Sequence, residues 1–185
     1  TVQDDSLCTF DVAVTITEPT ALAGSIISQT NVACNGNASG AVTVEGTGGT
    51  TPYEYSIDGG IFSSTADFTG LTAGSYTITI QDDSLCTVDI AVTITEPTAL
   101  GGNIIAQSEV DCNDLGSVTA EGTGGTAPYQ YAIDGGAFGT SATFTGLTAG
   151  NHIVTVQDDS LCTFDIDVTI TQLSAIDGSI LSQTN

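Results

Sequence analysis

The sequence has no lysine, arginine, methionine or tryptophan among its 185 residues. Without basic side chains it has no phosphate clamp and no cationic catalytic group. It also lacks the positive surface that binds nucleic acid or anionic membrane. The formal charge is wholly acidic: 22 Asp and Glu against one His, for a net charge of -22. Self-repulsion on that scale keeps a surface soluble. Acidity with few aromatics can signal disorder, yet apolar residues make up 40% of the chain and fall in strict patterns. No apolar run approaches the ~20 residues of a membrane-spanning helix, and no signal peptide is legible. The chain reads as an excerpt of something longer.

Enzyme chemistry finds no footing either. No GxSxG is present, and no Cys–His pairing recurs. GTGGT at Gly46 and Gly122 is glycine-rich, but it runs into TPY or APY and then a strand. That is a turn rather than a phosphate cradle, which opens a helix. The chain is expected not to be an enzyme.

What is present is repetition. TVQDDSLCTFDVAVTIT at Thr1 returns as TIQDDSLCTVDIAVTIT at Thr79 and as TVQDDSLCTFDIDVTIT at Thr155. VEGTGGTTPYEYSIDGG at Val44 matches AEGTGGTAPYQYAIDGG at Ala120, and FTGLTAG occurs at Phe68 and Phe144. A self-similar period of this length marks a tandem-repeat architecture. The second period is shorter where CNGNASGAVTV becomes CNDLGSVTA, which places a surface loop after that cysteine. The expected organisation is 1–22, the end of a truncated repeat; 23–100 and 101–176, two full repeats; and 177–185, the start of another.

Inside a period, Tyr76, Ile78 and Ile80 alternate with Thr77 and Thr79, and Val88, Ile90, Val92 and Ile94 alternate with Asp89, Ala91, Thr93 and Thr95. Period-two alternation means strands with one face on a core. Turn signals separate them: GTGGTTP, DGG, GLTAG and DDS. No 3.6-residue stripe appears. About seven short strands in each period predict an all-β fold of immunoglobulin-like β-sandwich repeats. Short joints, EPTAL at 18–22 and 96–100 and QLSAI at 172–176, predict stiff links and an end-to-end rod. LTAGSY places Tyr76 at a tyrosine-corner position. His152 takes that place in the second period, as a packing substitute with a backbone hydrogen bond.

Together, CNGNASGAVTVEGTGGTTPYEYSIDGG, GLTAGSYTITIQDDSLC and VTITEPTAL resemble the SprB repeat of giant Bacteroidetes surface proteins. The likeness covers nearly the whole chain twice. The second period departs from it in CND for CNG and His152 for Tyr. The resemblance implies type 9 secretion, display outside the cell and a structural or adhesive role, with gliding motility in the named member. The partners so expected are neighbouring repeats, further copies in a fibre and a distal surface or glycan ligand. The alternative is a glycan- or polysaccharide-binding module, with Tyr53, Tyr55, Tyr129 and Tyr131 as the clustered aromatics.

Two cysteines fall in each period, in what reads as a secreted setting, so disulfides are expected. The simplest pairing is Cys34–Cys86 and Cys112–Cys162, with Cys8 bonded outside the fragment. Cys8–Cys34 with Cys86–Cys112, at a constant spacing of 26, is the rival. Connectivity stays open on sequence alone. Asp-Ser-Leu in QDDSLC is similar to a Bacteroidetes O-glycan acceptor, which makes Ser6, Ser84 and Ser160 glycosylation candidates. Calcium is the one cation the Asp4–Asp5, Asp82–Asp83 and Asp158–Asp159 pairs could take, though no known calcium-loop spacing is met. No other cofactor or metal is expected.

Overall fold

A computed structural model describes residues 1–112 and 114–174. The expected start of a further repeat at 177–185 lies outside them, as do Ala175 and Ile176 of the last joint. All regular structure among the described residues is β. A short hairpin opens the chain, β1 (Val2–Gln3) and β2 (Thr9–Phe10). The first period then forms β3 (Ala23–Thr30), β4 (Gly40–Thr47), β5 (Tyr53–Ile57), β6 (Asp67–Leu71), β7 (Gly74–Asp82) and β8 (Thr87–Ile94). The second forms β9 (Gly101–Ser108), β10 (Gly116–Thr123), β11 (Gln130–Ile133), β12 (Thr143–Leu147), β13 (Gly150–Gln157) and β14 (Thr163–Ile170).

Each period makes two three-stranded sheets. Their orders are β3-β4-β6 and β5-β7-β8, then β12-β10-β9 and β11-β13-β14. The first, second and fourth strands share one sheet; the third, fifth and sixth share the other. This is the ABE and CFG arrangement of the immunoglobulin sandwich, with six strands per period where the turn signals predict about seven.

The alternation in sequence becomes the inside and outside of these sheets. Val118 and Ala120 of β10 meet Tyr131 of β11, Val154 and Val156 of β13, and Val168 and Ile170 of β14 in one buried cluster. Register holds them level: Tyr131 faces Val156 across the ladder, and Val156 faces Phe164. The first period buries the matching residues Val42, Val44, Tyr55, Ile78, Ile80, Val92 and Ile94. Each fully buried Val or Ile contributes roughly 1.5–3 kcal/mol over its exposed state.

Two compact units divide the described chain. One holds 1–28, 42–68 and 76–92; the other holds 29–41, 69–75 and the described residues from 93 onward. The division does not follow the sequence period. The end of the first period that carries Cys34 clusters with the second period.

Candidate functional site

The hairpin QDDSLC is built around its first aspartate. Asp158, only 3% exposed, accepts from the backbone N–H of Ser160 at 3.0 Å and of Cys162 at 2.9 Å through Oδ1. Its Oδ2 accepts from the N–H of Thr126 at 2.8 Å, in the GTGGT loop. The N–H of Asp159 returns a bond to the Thr126 carbonyl at 2.8 Å. The carboxylate thus locks hairpin to loop. Gly125 is required where it stands: its φ is +55°, and a Cβ there would lie 2.5 Å from Asp158 Oδ2. The first period repeats the device, with Asp82 accepting from Thr50 at 2.9 Å and Cys86 at 2.8 Å. The Thr50 N–H, with those of Cys86 and Ser84, holds the Asp82 carboxyl below its ordinary range against the opposing effect of burial.

Calcium has little to grip here. The twin aspartates diverge, the first turned inward onto backbone donors and the second exposed. Among the described residues no group of three or more His, Cys, Asp or Glu side chains is arranged to hold a metal.

The linker Glu96-Pro97-Thr98 is pinned on both sides within the second unit. Glu96 Oε2 accepts from the N–H of Gly36 at 2.7 Å, and Asn35 Nδ2 donates to the Pro97 carbonyl at 3.0 Å. On the other side Gly125 N–H donates to the Thr98 carbonyl at 2.9 Å. A segment bonded this way at three consecutive residues is not a flexible tether.

Over that linker lies the disulfide, Cys34–Cys162, with a Cα–Cα distance of 5.8 Å and a sequence separation of 128. It overturns both sequence pairings. Cys34–Cys86 and Cys112–Cys162 do not form, and Cys8–Cys34 cannot, because Cys34 is taken; Cys8, Cys86 and Cys112 are free thiols. The reason is strand length. Cys112 precedes β10, whereas Thr126, beyond the far end of β10, is bonded to the hairpin that carries Cys162. The strand between them has 8 residues, which spans about 26 Å. A disulfide reaches at most roughly 7 Å between Cα atoms. In the first period Cys34 likewise precedes its strand, β4, and Cys86 is a free thiol. The hairpin cysteine instead meets the loop cysteine of the preceding period. Leu161, at φ +63°, Ala99 and Leu100 line an open cavity of about 400 Å³ beside the bond.

The remaining candidates divide. Ser6 and Ser84 are exposed, and Ser160, next to the disulfide hairpin, is half-buried. Ser84 Oγ also donates to Thr50 Oγ1 at 3.1 Å. Tyr55 and Tyr131 are core residues. Tyr53 and Tyr129 are half-buried, and their hydroxyls donate to the Gly48 and Gly124 carbonyls at 2.5 and 2.6 Å. No open pair of aromatic faces results.

His152 uses both ring nitrogens. Nε2 lies 2.9 Å from the Thr148 carbonyl and Nδ1 lies 2.7 Å from Asp134 Oδ2. Both neighbours are acceptors, so the doubly protonated ring satisfies both. The Asp134 bond first, then that to Thr148, raises the His152 pKa above its ordinary value. Asp134 is correspondingly lowered, chiefly by His152 and then by the Ile153 N–H. In the first period Asp58 makes the matching backbone bond, from Thr77 at 2.8 Å.

Sequence reasoning placed Glu96 and Thr98 in a joint and Asp158 in a calcium pair, but it missed Asn35 and the hydrogen bonds by which these residues hold the joint. The signal was present in the aspartate four residues before each hairpin cysteine, a fixed offset that reads as an Asx-type turn clamp.

The fold and this joint define a class: disulfide-bearing, immunoglobulin-like tandem modules. The model for the SprB repeat matches residues 26–62 and 104–138, one stretch in each period. A search of curated protein sequences finds no match. Among solved structures, the chain is similar to the C-terminal 282-residue fragment of intimin, solved with the intimin-binding domain of its translocated receptor. That match has 15% identity and a TM-score of 0.42, covering 84% of this chain and 64% of that one. A Dscam structure follows at 12% identity and TM-score 0.35, covering 84% and 46%. Domains 1–6 of the surface-layer protein SbsC match at 12% and 0.32, covering 86% and 29%. The chain thus spans under two thirds of each of these structures.

Proposed function

We propose that this chain is a structural and adhesive repeat region of a long extracellular protein, a cell-surface adhesin or filament whose modules follow one another as a rod. The observation that carries the reading is the covalent joint: a disulfide closed over a linker that is itself hydrogen-bonded on both sides. Two matches to the SprB repeat and an oxidised cysteine pair support an extracellular setting. The acidic coat, -22 with no opposing Lys or Arg, keeps neighbouring copies apart. The work is mechanical rather than catalytic: the modules hold a distal binding region away from the cell, alone or bundled with further copies. The glycan-binding alternative loses its main support, because the tyrosines turn inward.

A mobile gliding adhesin is the narrower form of this reading, drawn from the family resemblance. Beads coated with antibody to the repeat, followed on live cells, test it. Beads that travel along the surface support a motor-driven adhesin, fixed beads support a static stalk, and cells that bind no beads refute surface display.

A further inference from the structure

We propose that Cys112 and Cys86 are connector cysteines, each waiting for a partner one repeat away, so that every joint in the polymer is closed by the same disulfide seen at Cys34–Cys162. The inference rests on the reading of the chain as an oxidised repeat region, and it names the partner: another copy of this repeat.

The two halves of the observed joint recur in their backbone bonds, while the linker after Cys112 reads QLS, with Gln172 in place of Glu96 and Asp114 in place of Gly36. Cys34 stands two residues after Val32, a buried valine whose N–H donates to the Thr95 carbonyl at 2.9 Å. Cys112 stands two residues after Val110, also buried, whose N–H donates to the Thr171 carbonyl at 3.0 Å. The loop half of the joint is therefore presented again. The hairpin half is presented again too. Cys86 and Cys162 each donate their N–H to Oδ1 of the aspartate four residues earlier, at 2.8 and 2.9 Å. The preceding Leu85 and Leu161 both have φ +63°, a left-handed conformation costly for leucine. Leu85 is 74% exposed and Leu161 73%. The hairpin therefore holds the same backbone conformation whether its cysteine is bonded, as at Cys162, or free, as at Cys86.

Register leaves these thiols no partner of the same kind within residues 1–185. The bond joins a loop cysteine to a hairpin cysteine at a sequence separation of 128. A partner at that separation after Cys112, or before Cys86 or Cys8, falls outside residues 1–185. Cys86–Cys112, the pair at spacing 26, would join a hairpin to the loop cysteine of the following period, the reverse of the bond that forms.

Cys112 also lies inside the loop closed by Cys34–Cys162. Successive loops therefore overlap, and no whole repeat sits outside a covalent clamp. Between clamps, load would fall only on stretches like the one from Cys86 to Cys112. Closing each bond takes two thiols, which release two protons and two electrons; a disulfide oxidant such as oxidised glutathione accepts them and becomes two thiols.

An in-phase fusion tests this. Joining 1–176 directly to 23–185 sets the second copy's Cys86 as far along the chain from the first copy's Cys112 as Cys162 is from Cys34. That protein has nine cysteines, five from the first copy and four from the second. Refolded in a glutathione redox buffer, it should hold three disulfides and three free thiols. Peptide mapping with a Glu- or Asp-specific protease should recover the first copy's Cys112 bonded to the second copy's Cys86. Cys112→Ser in the first copy should leave two disulfides and four free thiols with folding unchanged. Two disulfides and five free thiols in the folded fusion, or a Cys112–Cys112 bond in place of the mapped one, would overturn the connector proposal while leaving the structural reading standing. Failure of Cys34–Cys162 itself to form would instead remove the oxidised, extracellular reading.

Discussion

Pulling the chain by its two ends measures what the disulfide does. Cys34–Cys162 closes a loop across a sequence separation of 128. When oxidised, tension entering at Cys34 crosses the sulfurs and leaves at Cys162, so nothing between them bears force. Only the segments 1–33 and 163–185 can straighten. At ~3.5 Å per residue that releases roughly 200 Å of contour. Reduction, or Cys34→Ser with Cys162→Ser, puts the loop in series and adds about 450 Å. The same loop restricts the unfolded chain. For a loop of that length the chain-entropy relation puts the stabilisation at about 5 kcal/mol when both periods unfold together. That is comparable to the whole stability of a small domain. Optical-tweezer traces with and without reductant read the length, and calorimetry reads the stability. An oxidised chain that releases the full length refutes the pairing. A reduced chain that gains no length refutes the force path.

Three further outcomes follow from the same structure. Asp158→Ala strips the acceptor from three backbone N–H groups and should destabilise the second period by about 3 kcal/mol, read by denaturant midpoint; a loss under about 0.5 kcal/mol would show water replacing the carboxylate. Ile170→Ala, in a core residue 1% exposed, should cost about 3 kcal/mol, while Ile16→Ala, at the matching position but 91% exposed, should cost about nothing; equal losses would refute the core assignment. The His152–Asp134 pair should contribute most between about pH 4 and pH 6.5. The raised His152 pKa means its share is complete below its unfolded value and fades as pH rises through the folded one; the lowered Asp134 pKa means its share fades as pH falls. With the Asp134 side chain 50% exposed, the effect should stay under about 1 kcal/mol, and His152→Gln should flatten that part of the stability–pH curve.

The strands were legible because their cause is local. Val154, Val156, Val168 and Ile170 alternate with polar residues, and each alternating run became a strand with its apolar side in the core. Burial, however, was not local. Val12, Val14 and Ile16 repeat the pattern of Val92 and Ile94, yet they are 55%, 75% and 91% exposed. Residues 12–16 lie in no strand: an alternating run pairs and buries its face only against neighbouring strands and a second sheet, and those partners are tertiary facts. The tyrosines show the same limit: an alternating YEY places one ring inward with certainty, but not what the other ring touches.

The disulfide marks where local reading stops and why. Cysteine counting assigned two thiols to each period, and its simplest pairing joined them, which treats a period as a closed object; its rival, at a spacing of 26, crossed the joint in the other direction. A sandwich has two poles, though, and its hairpin and loop cysteines stand at opposite ends of a full strand. Once strand length is put beside the reach of a disulfide, pairing within a period is excluded by about 20 Å. Two neighbours then remain for each loop cysteine, the hairpin behind it and the hairpin ahead. The linker decides between them: Glu96 and Pro97 bind the loop of Cys34, and Thr98 binds the Gly125 loop, which is locked to the Cys162 hairpin. A repeat sequence thus encodes its covalent connections in the joint, through EPT and the first Asp of QDDSLC, rather than in the spacing of its cysteines.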